Sequence, residues 1–448
     1  MGYVSRSGRR PAENASKSSH SYIINDPVVV DFIGKCDLPK QASDIKLHNH
    51  HIVEIDEVIK NPINHVIAID GGYSEVYVKR EFPSSTITFF QFGALVFNVS
   101  DLNEIAEQPF IDPEDMAKLK NIQRLKLTIP TKNITLGSEK SLTYSVRKAL
   151  YDFFAGEPKG EPLIESLKWL LFEEYNHKVS EWNLATCPNP DSEHHSVILD
   201  KSKIRKDYTF ECSYCGEKIY LTDVFRLHEA IDDELGAGGI LGYLTTLIEQ
   251  IILIHLIRLV LETKPSLLNE ILFIKDGPLA FFGQTANMHK PMRELTNYLL
   301  KKYNLFLAGL EKSGAFVEHA DEISARLKPG EILLLDNDYI YKYIIPGKAD
   351  PDKPYARTSY YGGKLVYKSK DERIYVVTIP VSDETVVLAP EKGDFHNIDI
   401  ILHNIEKLKC DMYDSSLIPV ALVNKLVSLA DHPSSVILEK FAKTSINK

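Results

Sequence analysis

The stretch HVIAIDGGYSEVYVKR, from His65 to Arg80, is the segment from which the fold can be worked out. Its first half is a short apolar run that ends on Asp70, as a buried strand does. Two glycines follow, and SEVYVK then alternates between polar and apolar residues, which is typical of a half-buried strand. We therefore expect a β-hairpin that turns at Gly71 and Gly72 and places a carboxylate at the end of a buried strand.

The sequence around this segment predicts a mixed-sheet α/β protein. Residues 85–98 are β-branched and aromatic and predict a central strand, and QRLKLTIP predicts a further edge strand. Helical spacing of Leu, Phe and Trp follows over residues 139–176. Later strands alternate with helices, and two helices, near 396–408 and 419–430, are expected to close the chain. The expected fold class is a mixed sheet flanked by helices, with a helical and cysteine-bearing insertion.

The chain is expected to form one elaborate domain. Residues 1–25 are polar and basic and predict a flexible arm, and 26–448 form the domain itself. A helical insertion is expected over residues 140–235, with the cysteine-bearing part at 182–220.

The amino-acid composition limits the classes of function that the protein can have. Of 448 residues, 44% are apolar and 25% are charged, as in soluble globular proteins. The net charge of −10 repels polyanions, so a nucleic acid would need a local basic groove or a partner subunit. No secretory signal is visible, and five cysteines, an odd number, favour a reducing cytoplasm. The longest apolar run, residues 238–261, carries Glu249 and predicts a core helix rather than a membrane span.

Two aspartates follow predicted strands in the same way. Asp70 ends HVIAID, and Asp276 follows Lys275 in LFIKDGPLAFFG. Ligands gather at the carboxyl ends of strands in α/β sheets, and clustered carboxylates suit magnesium or manganese. Paired divalent ions stabilise the attacking and leaving oxygens of phosphodiester hydrolysis. The alternative is that each Asp-Gly pair is simply a turn.

A third carboxylate would complete such a site. Glu249 lies within the long apolar helix, where a buried and unpaired carboxylate is costly, so it is expected to bind a ligand or to form a pair. Arg258 could provide the pair instead. Glu262, near the helix end, and Glu75, on the expected hairpin, are the competing candidates.

Four segments give a more specific indication. VIAIDGGYSEVYV, LFIKDGPLAFFG, LAGLEKSGAFVEHA and DNDYIYKYIIPG occur in this order and together resemble the NurA nuclease family, from about residue 63 to the C-terminus. The resemblance implies an RNase H-like core and a manganese- or magnesium-dependent active site. It implies 5′ exonuclease and single-strand endonuclease activity on DNA. It also implies a homodimer that works with a hexameric HerA-like ATPase in DNA end processing, repair or anti-phage defence.

The resemblance also assigns residues. The family's metal-binding aspartates correspond to Asp70 and Asp276, and its helix glutamate corresponds to Glu249. Lys312 in EKSG corresponds to a family lysine, and such a cation can neutralise charge on the scissile phosphate.

One part of the family pattern is missing. The family often has a Tyr-Pro pair and a later histidine near the metal, but here Ile418 precedes the proline and Leu426 stands where histidine is expected. His432 lies too far along the chain to substitute. A catalytically silent adaptor that docks on a ring ATPase is therefore an alternative.

A second alternative is an ATPase of the actin and sugar-kinase type. DGGYS, which starts at Asp70, satisfies the D-x-G-x-[ST] pattern of their first phosphate loop. The second loop is poorly matched by KDGPLAFFG, in which proline and leucine replace glycines that cradle phosphate.

The insertion contains a candidate metal motif. TCPNPDSEHH and ECSYCGEK supply Cys187, His194 (or His195), Cys212 and Cys215. A Cys-x-x-Cys followed by glycine is typical of a zinc knuckle, although the second Cys-x-x-Cys is missing. A structural zinc, a metal-free knuckle and a redox pair all remain open at this point.

A basic and aromatic segment is the candidate DNA contact. YARTSYYGGKLVYKSK contains Arg357, Tyr360 and Lys364, and such mixtures suit single-strand backbone and stacking contacts, although exposed hairpins often look alike. The sequence has no G-x-x-x-x-G-K-[ST] motif, so processive work on duplex DNA would need an ATPase from another protein. No membrane partner is expected.

Overall fold

The computed structural model describes residues 17–446, except residues 39, 48–50, 101–122, 157–159, 193–195, 412–415 and 430–432. The strands are β1 (Ile52–Glu54), β2 (His65–Lys79), β3 (Ser85–Asn98), β4 (Gln123–Lys132), β5 (Glu181–Leu184), β6 (Val197–Asp200), β7 (Thr209–Glu211), β8 (Lys218–Tyr220), β9 (Ile271–Asp276), β10 (Phe306–Glu311), β11 (Glu331–Leu334), β12 (Gly362–Lys368) and β13 (Ile374–Pro380). The helices are α1 (Lys17–Ile24), α2 (Pro27–Gly34), α3 (Leu142–Ala155), α4 (Leu163–Leu171), α5 (Leu241–Thr263), α6 (His289–Tyr303), α7 (Ala315–Ile323), α8 (Asn337–Tyr343), α9 (Ile398–Lys407), α10 (Ile418–Val427) and α11 (Ser434–Ile446).

Nine of the strands in the described part of the chain form one mixed sheet. Their order is β1-β11-β12-β13-β10-β9-β2-β3-β4. Strand β9 pairs in parallel with β2 and with β10, and the other neighbours are antiparallel. Between α4 and α5, where the insertion is predicted, β5–β6 and β7–β8 form two small two-stranded sheets. The predicted α/β class with a mixed sheet is therefore confirmed.

The expected turn at the two glycines is wrong. Strand β2 continues without interruption from His65 to Lys79 and pairs with β3 along this length, with one irregularity near its end. A Cβ at Gly71 would lie 2.5 Å from Cδ1 of Phe92, and one at Gly72 would lie 2.8 Å from the Val427 carbonyl oxygen. The glycines therefore allow neighbouring groups to approach the strand. The continuous strand also removes the loop that the ATPase alternative needs.

Helices cover both faces of the sheet. Along β2, Ile67 and Ile69 face one side, where they join the core of α3, α4, α5 and α6. Val66 and Ala68 face the other side and join α9 and α10. A third cluster packs α7 and α8 against β11, β12 and β13. This alternation is the period of two that a strand buried on both faces requires.

Helix α5 is the predicted core helix. Together with the turn before it, this helix spans Gly238–Thr263. It is the one segment among the described residues that is long and apolar enough to cross a membrane, and the mean hydropathy of its most apolar window is 1.9. However, 72% of its most apolar window is buried inside the protein. It packs on α4 and β2, as a core helix does.

The two ends of the chain differ from expectation. Residues 17–24 of the expected flexible arm form α1, and α2 follows directly. Helix α11 follows the two predicted C-terminal helices, and Arg80 at the end of β2 forms an ion pair with its Glu439 at 2.7 Å. This helix was not predicted from the sequence, and its side chains Val436, Ile437 and Phe441 are largely exposed.

Candidate active site

Asp70 and Asp276 lie on adjacent parallel strands. Ile69 of β2 is in register with Lys275 of β9, so the two aspartates come next on each strand. Neighbouring strands are about 4.8 Å apart, and side chains at matching positions point to the same face. The sheet therefore places two carboxylates side by side where β9 ends.

The turn after Asp276 is held against the next strand. Gly277 has a φ of 88°, in the left-handed region that favours glycine, and its N–H donates to the Leu310 carbonyl at 2.7 Å. A Cβ at Gly309 would lie 2.6 Å from the Gly277 carbonyl oxygen, so a glycine is required there too. This packing fixes the position of Asp276.

Asp70 is a buried acid with a raised pKa. It is 4% exposed, and its Oδ1 accepts a hydrogen bond from the Gly71 N–H at 2.8 Å. Its Oδ2 is buried and has no hydrogen-bond partner among the described residues. Burial, and then the nearby charges of Asp276 and Glu249, raise the pKa of Asp70 to about 7, and Lys312 acts in the opposite direction. The two other acids are therefore close enough to affect its ionisation.

Glu249 reaches the same region from α5. It is 5% exposed, and its Oε2 lies 2.9 Å from Lys275 Nζ. Burial raises the pKa of Glu249, and the ammonium of Lys275 lowers it. A Cβ on Gly71 would lie 3.3 Å from Glu249 Oε1, so the glycine lets the helix carboxylate approach β2.

The competing third carboxylates lie elsewhere. Glu262 forms an ion pair with Arg258 at 2.9 Å and its side chain is 44% exposed. Glu75 accepts a hydrogen bond from Thr86 at 2.8 Å, further along β2. Arg258 pairs with Glu161 as well as with Glu262, and the cation on Glu249 is Lys275. Of the three candidates, Glu249 is the one placed beside Asp70.

Two lysines compensate the acids. Lys312 Nζ lies 2.6 Å from Asp276 Oδ2, and both side chains are partly exposed. Lys275 Nζ donates to the Asp276 carbonyl oxygen at 2.5 Å in addition to its contact with Glu249. Sequence reasoning did not assign Lys275 to the site. Its signal was a lysine inside an otherwise apolar strand, which implies a buried anionic partner.

The donor set suits a divalent cation. It consists of carboxylate oxygens, the ligands that magnesium and manganese prefer, and the buried Oδ2 of Asp70 is not satisfied by protein among the described residues. Acidic, histidine and cysteine side chains can all bind a metal. Among the described residues, one group of three such side chains has all its donor atoms within 4.8 Å of one another, and its members are cysteines. The three carboxylates do not form such a group: Lys312 contacts Asp276 and Lys275 contacts Glu249.

Helix α10 packs beside the strand that carries Asp70. Gln91 Nε2 of β3 donates to the Leu426 carbonyl at 2.6 Å, and the Val427 carbonyl lies against Gly72. Ile418 is buried in the apolar core, and Leu426 packs against it. The two positions where the family pattern has tyrosine and histidine are therefore used for packing. His432 lies outside the described residues.

The candidate DNA contacts are not on one exposed hairpin. Lys364 lies in β12, between β11 and β13, and its buried Nζ contacts Glu311 Oε1 at 2.5 Å. The same ammonium lies 3.6 Å from the centre of the Phe316 ring. Tyr360 is 9% exposed, whereas Arg357 is exposed and donates to the Asp352 carbonyl. Burial and an internal ion pair leave Arg357 as the accessible member of the three.

The insertion brings three cysteines together. Cys187, Cys212 and Cys215 have sulfur atoms within 4.8 Å of one another. His194 and His195 lie outside the described residues, so the histidine ligand stays a prediction. Cys36 and Cys410, the other two cysteines, are free thiols.

These features define a mixed-sheet α/β protein with a carboxylate and lysine cluster at its strand ends. No protein-family model matches the sequence, and no curated protein matches it. Among solved structures, the chain is similar to the crystal structure of the NurA nuclease from Sulfolobus solfataricus, at 7% identity and a TM-score of 0.33, over 97% of this chain and 98% of that one. It is also similar to a crystal structure of NurA with manganese, at 10% identity and a TM-score of 0.28, over 86% and 90% of the two chains.

Proposed function

We propose that this protein is a metal-dependent DNA nuclease of the NurA type. The observation that carries the proposal is the pairing of Asp70 and Asp276 at the ends of adjacent parallel strands, with the buried Oδ2 of Asp70 unpartnered among the described residues. Such pairs of strand-end carboxylates hold the cations of phosphodiester hydrolases. Asp70 and Asp276 would hold manganese or magnesium, with Glu249 beside them. A cation bound there supplies positive charge to the scissile phosphate and to the attacking water.

The side chains of this chain divide the remaining work. Asp70 must be ionised to bind a cation, and its pKa of about 7 places that change near neutral pH. Lys312, partly exposed and 2.6 Å from Asp276, is placed to contact a phosphate oxygen and to neutralise its charge. Lys275 is buried and fixes Glu249 relative to the end of β9.

Charge and motifs favour a partner, and the resemblance to the NurA family supplies its class. A chain with a net charge of −10 and no P-loop motif is poorly suited to hold and move along duplex DNA alone. We propose that it acts as a homodimer on DNA delivered by a HerA-like hexameric ATPase, in end processing, repair or phage defence. Arg357 would contribute to DNA contact from its exposed position.

A cleavage assay tests the proposal. Purified protein is incubated with labelled single- and double-stranded DNA in manganese, magnesium or EDTA, with and without the candidate ATPase. Cleavage that requires the metal and is lost in Asp70→Asn supports the nuclease. The matched control is Asp352→Asn, the same substitution at an exposed position, which should cleave like the wild type.

A silent adaptor is the second candidate. It is favoured by the lysines that already neutralise Asp276 and Glu249, and by the apolar residues at 418 and 426. An adaptor would change the ATPase rate of the ring protein and would cleave no DNA in any metal. A nuclease would cleave, and only its Asp70 variant would behave as the adaptor does.

A further inference from the structure

We propose that Cys187, Cys212 and Cys215 bind a structural zinc ion. The three sulfurs lie within 4.8 Å of one another, and those of Cys187 and Cys215 are 3.7 Å apart. Two thiolates bound to one zinc at about 2.3 Å, with tetrahedral angles, lie about 3.8 Å apart. The separation of Cys187 and Cys215 therefore agrees with the spacing that a zinc ion requires, and the Cys212 sulfur lies within 4.8 Å of both.

Backbone N–H groups contact two of the three sulfur atoms. The backbone N–H of Asn189 interacts with the sulfur of Cys187, and that of Glu217 interacts with the sulfur of Cys215. Both contacts join a cysteine to the amide two residues later. These contacts orient the two sulfur atoms relative to the turns that carry them.

The loop that carries the Cys-x-x-Cys pair is tightly turned. Gly216 has a φ of 72°, and its N–H donates to the Cys212 carbonyl at 2.9 Å. The Cys212 N–H donates to the Glu217 carbonyl, also at 2.9 Å. The turn therefore directs both sulfurs of the pair towards the same point, where Cys187 arrives from the other hairpin.

Burial in an apolar core does not explain the group by itself. Cys187 and Cys212 are buried, and buried thiols often act as small apolar residues. Cys215, however, is an exposed residue whose sulfur nevertheless turns onto the other two. None of the three forms a disulfide bond with another described residue, so a disulfide does not account for the approach.

Ligand chemistry selects zinc. Three thiolates favour a soft, four-coordinate ion, and structural zinc sites are built mainly from cysteine and histidine. Pro190 stands where the first half of the motif would carry a second cysteine. Among the described residues the group offers three protein ligands, and solvent would complete the coordination of the ion.

The ion would brace the insertion. It would join the turn after β5 to the turn between β7 and β8. Glu217 continues the connection, because Arg147 and Tyr144 of α3 both contact its carboxylate. Arg147 also forms a buried ion pair with Asp223 at 2.8 Å. Through α3, which packs on β4, the insertion is tied to the large sheet.

Metal content of the purified full chain tests the proposal. We expect about one zinc per chain after dialysis, and loss of that zinc in the double variant Cys212→Ser, Cys215→Ser. The matched control, Cys36→Ser with Cys410→Ser, should keep it. Cobalt substitution should give thiolate charge-transfer absorption in the wild type and in the control only.

A second measurement covers failure of the double variant to fold. A strong chelator added to the folded wild type should release zinc and make three more thiols reactive towards a thiol reagent. A chain that stays metal-free after growth and refolding in zinc would overturn the proposal. So would release of zinc with no change in thiol reactivity. Neither readout depends on nuclease activity.

Discussion

Asp276 Oδ2 lies 2.6 Å from the ammonium of Lys312, whereas Oδ2 of Asp70, on the adjacent strand, is buried without a hydrogen-bond partner among the described residues. The two aspartates thus occupy matching positions on adjacent strands, but their electrostatic surroundings differ. Asp276 has a compensating cation, while the pKa of Asp70 rises to about 7. A cation bound beside Asp70 would therefore favour the ionised form of this carboxyl group.

Manganese should stabilise the folded protein through Asp70. A ligand at 100 times its dissociation constant adds about 2.7 kcal/mol to the free energy of unfolding. We expect a rise in melting temperature of a few degrees for the wild type at pH 8, and none for Asp70→Asn. Asp352→Asn should behave as the wild type does. An equal metal-induced shift in the Asp70 variant would place the metal elsewhere.

Stability without metal should fall as the pH rises towards 8. The pKa of Asp70 is raised in the folded state from an unfolded value near 3.9, so the folded protein binds its proton more tightly. The loss of stability caused by ionising Asp70 in the folded state is absent below about pH 4 and fully present above pH 7. It amounts to about 1.4 kcal/mol for each unit of difference between the folded and unfolded pKa. Urea unfolding at several pH values measures this trend. Asp70→Asn should be more stable than the wild type at pH 8 and similar to it at pH 4.

Removal of Lys312 should shift the pH dependence of cleavage. Its ammonium lowers the pKa of Asp70, so Lys312→Met should raise that pKa and move the acidic limb of the rate profile to higher pH. We also expect kcat to fall by roughly 10²-fold, because a cation near the phosphate is lost. Lys312→Arg should restore the position of the limb. A lower kcat with an unchanged profile would assign Lys312 to phosphate contact alone.

Gly71→Ala should destabilise the protein. The new Cβ would lie 2.5 Å from the Phe92 ring and 3.3 Å from Glu249 Oε1. Overpacking of this kind costs about 1–3 kcal/mol, which chemical unfolding can measure. Gly238→Ala, where a Cβ meets nothing within 4 Å, is the matched control and should be neutral or slightly stabilising. If Gly71→Ala and Gly238→Ala have the same free energy of unfolding, close packing does not explain the glycine at position 71.

Sequence reasoning succeeded where the signal was local. The apolar runs before Asp70 and Asp276 predicted strands, and the interrupted apolar segment around Glu249 predicted a core helix; all three elements are present. It failed at Gly71 and Gly72. A pair of glycines is locally the same whether it turns the chain or makes room for a phenyl ring and a helix end.

The segment from Arg357 to Lys364 shows the same limit. Basic and aromatic residues indicated an exposed surface, yet Lys364 lies inside the sheet with Glu311 as its partner. That partner is 53 residues away in sequence. No local pattern reports such a pairing.

The sequence by itself determined the α/β class, the positions of the two strand-end aspartates and the grouping of cysteines, because each depends on hydrophobic period or motif spacing. Only the tertiary structure decided which acids meet, that Lys275 and Lys312 compensate two of them, and that Asp70 keeps an unpartnered oxygen among the described residues. The reason is physical. Charge compensation depends on distances between strands and helices that are far apart along the chain, and these distances are set by packing.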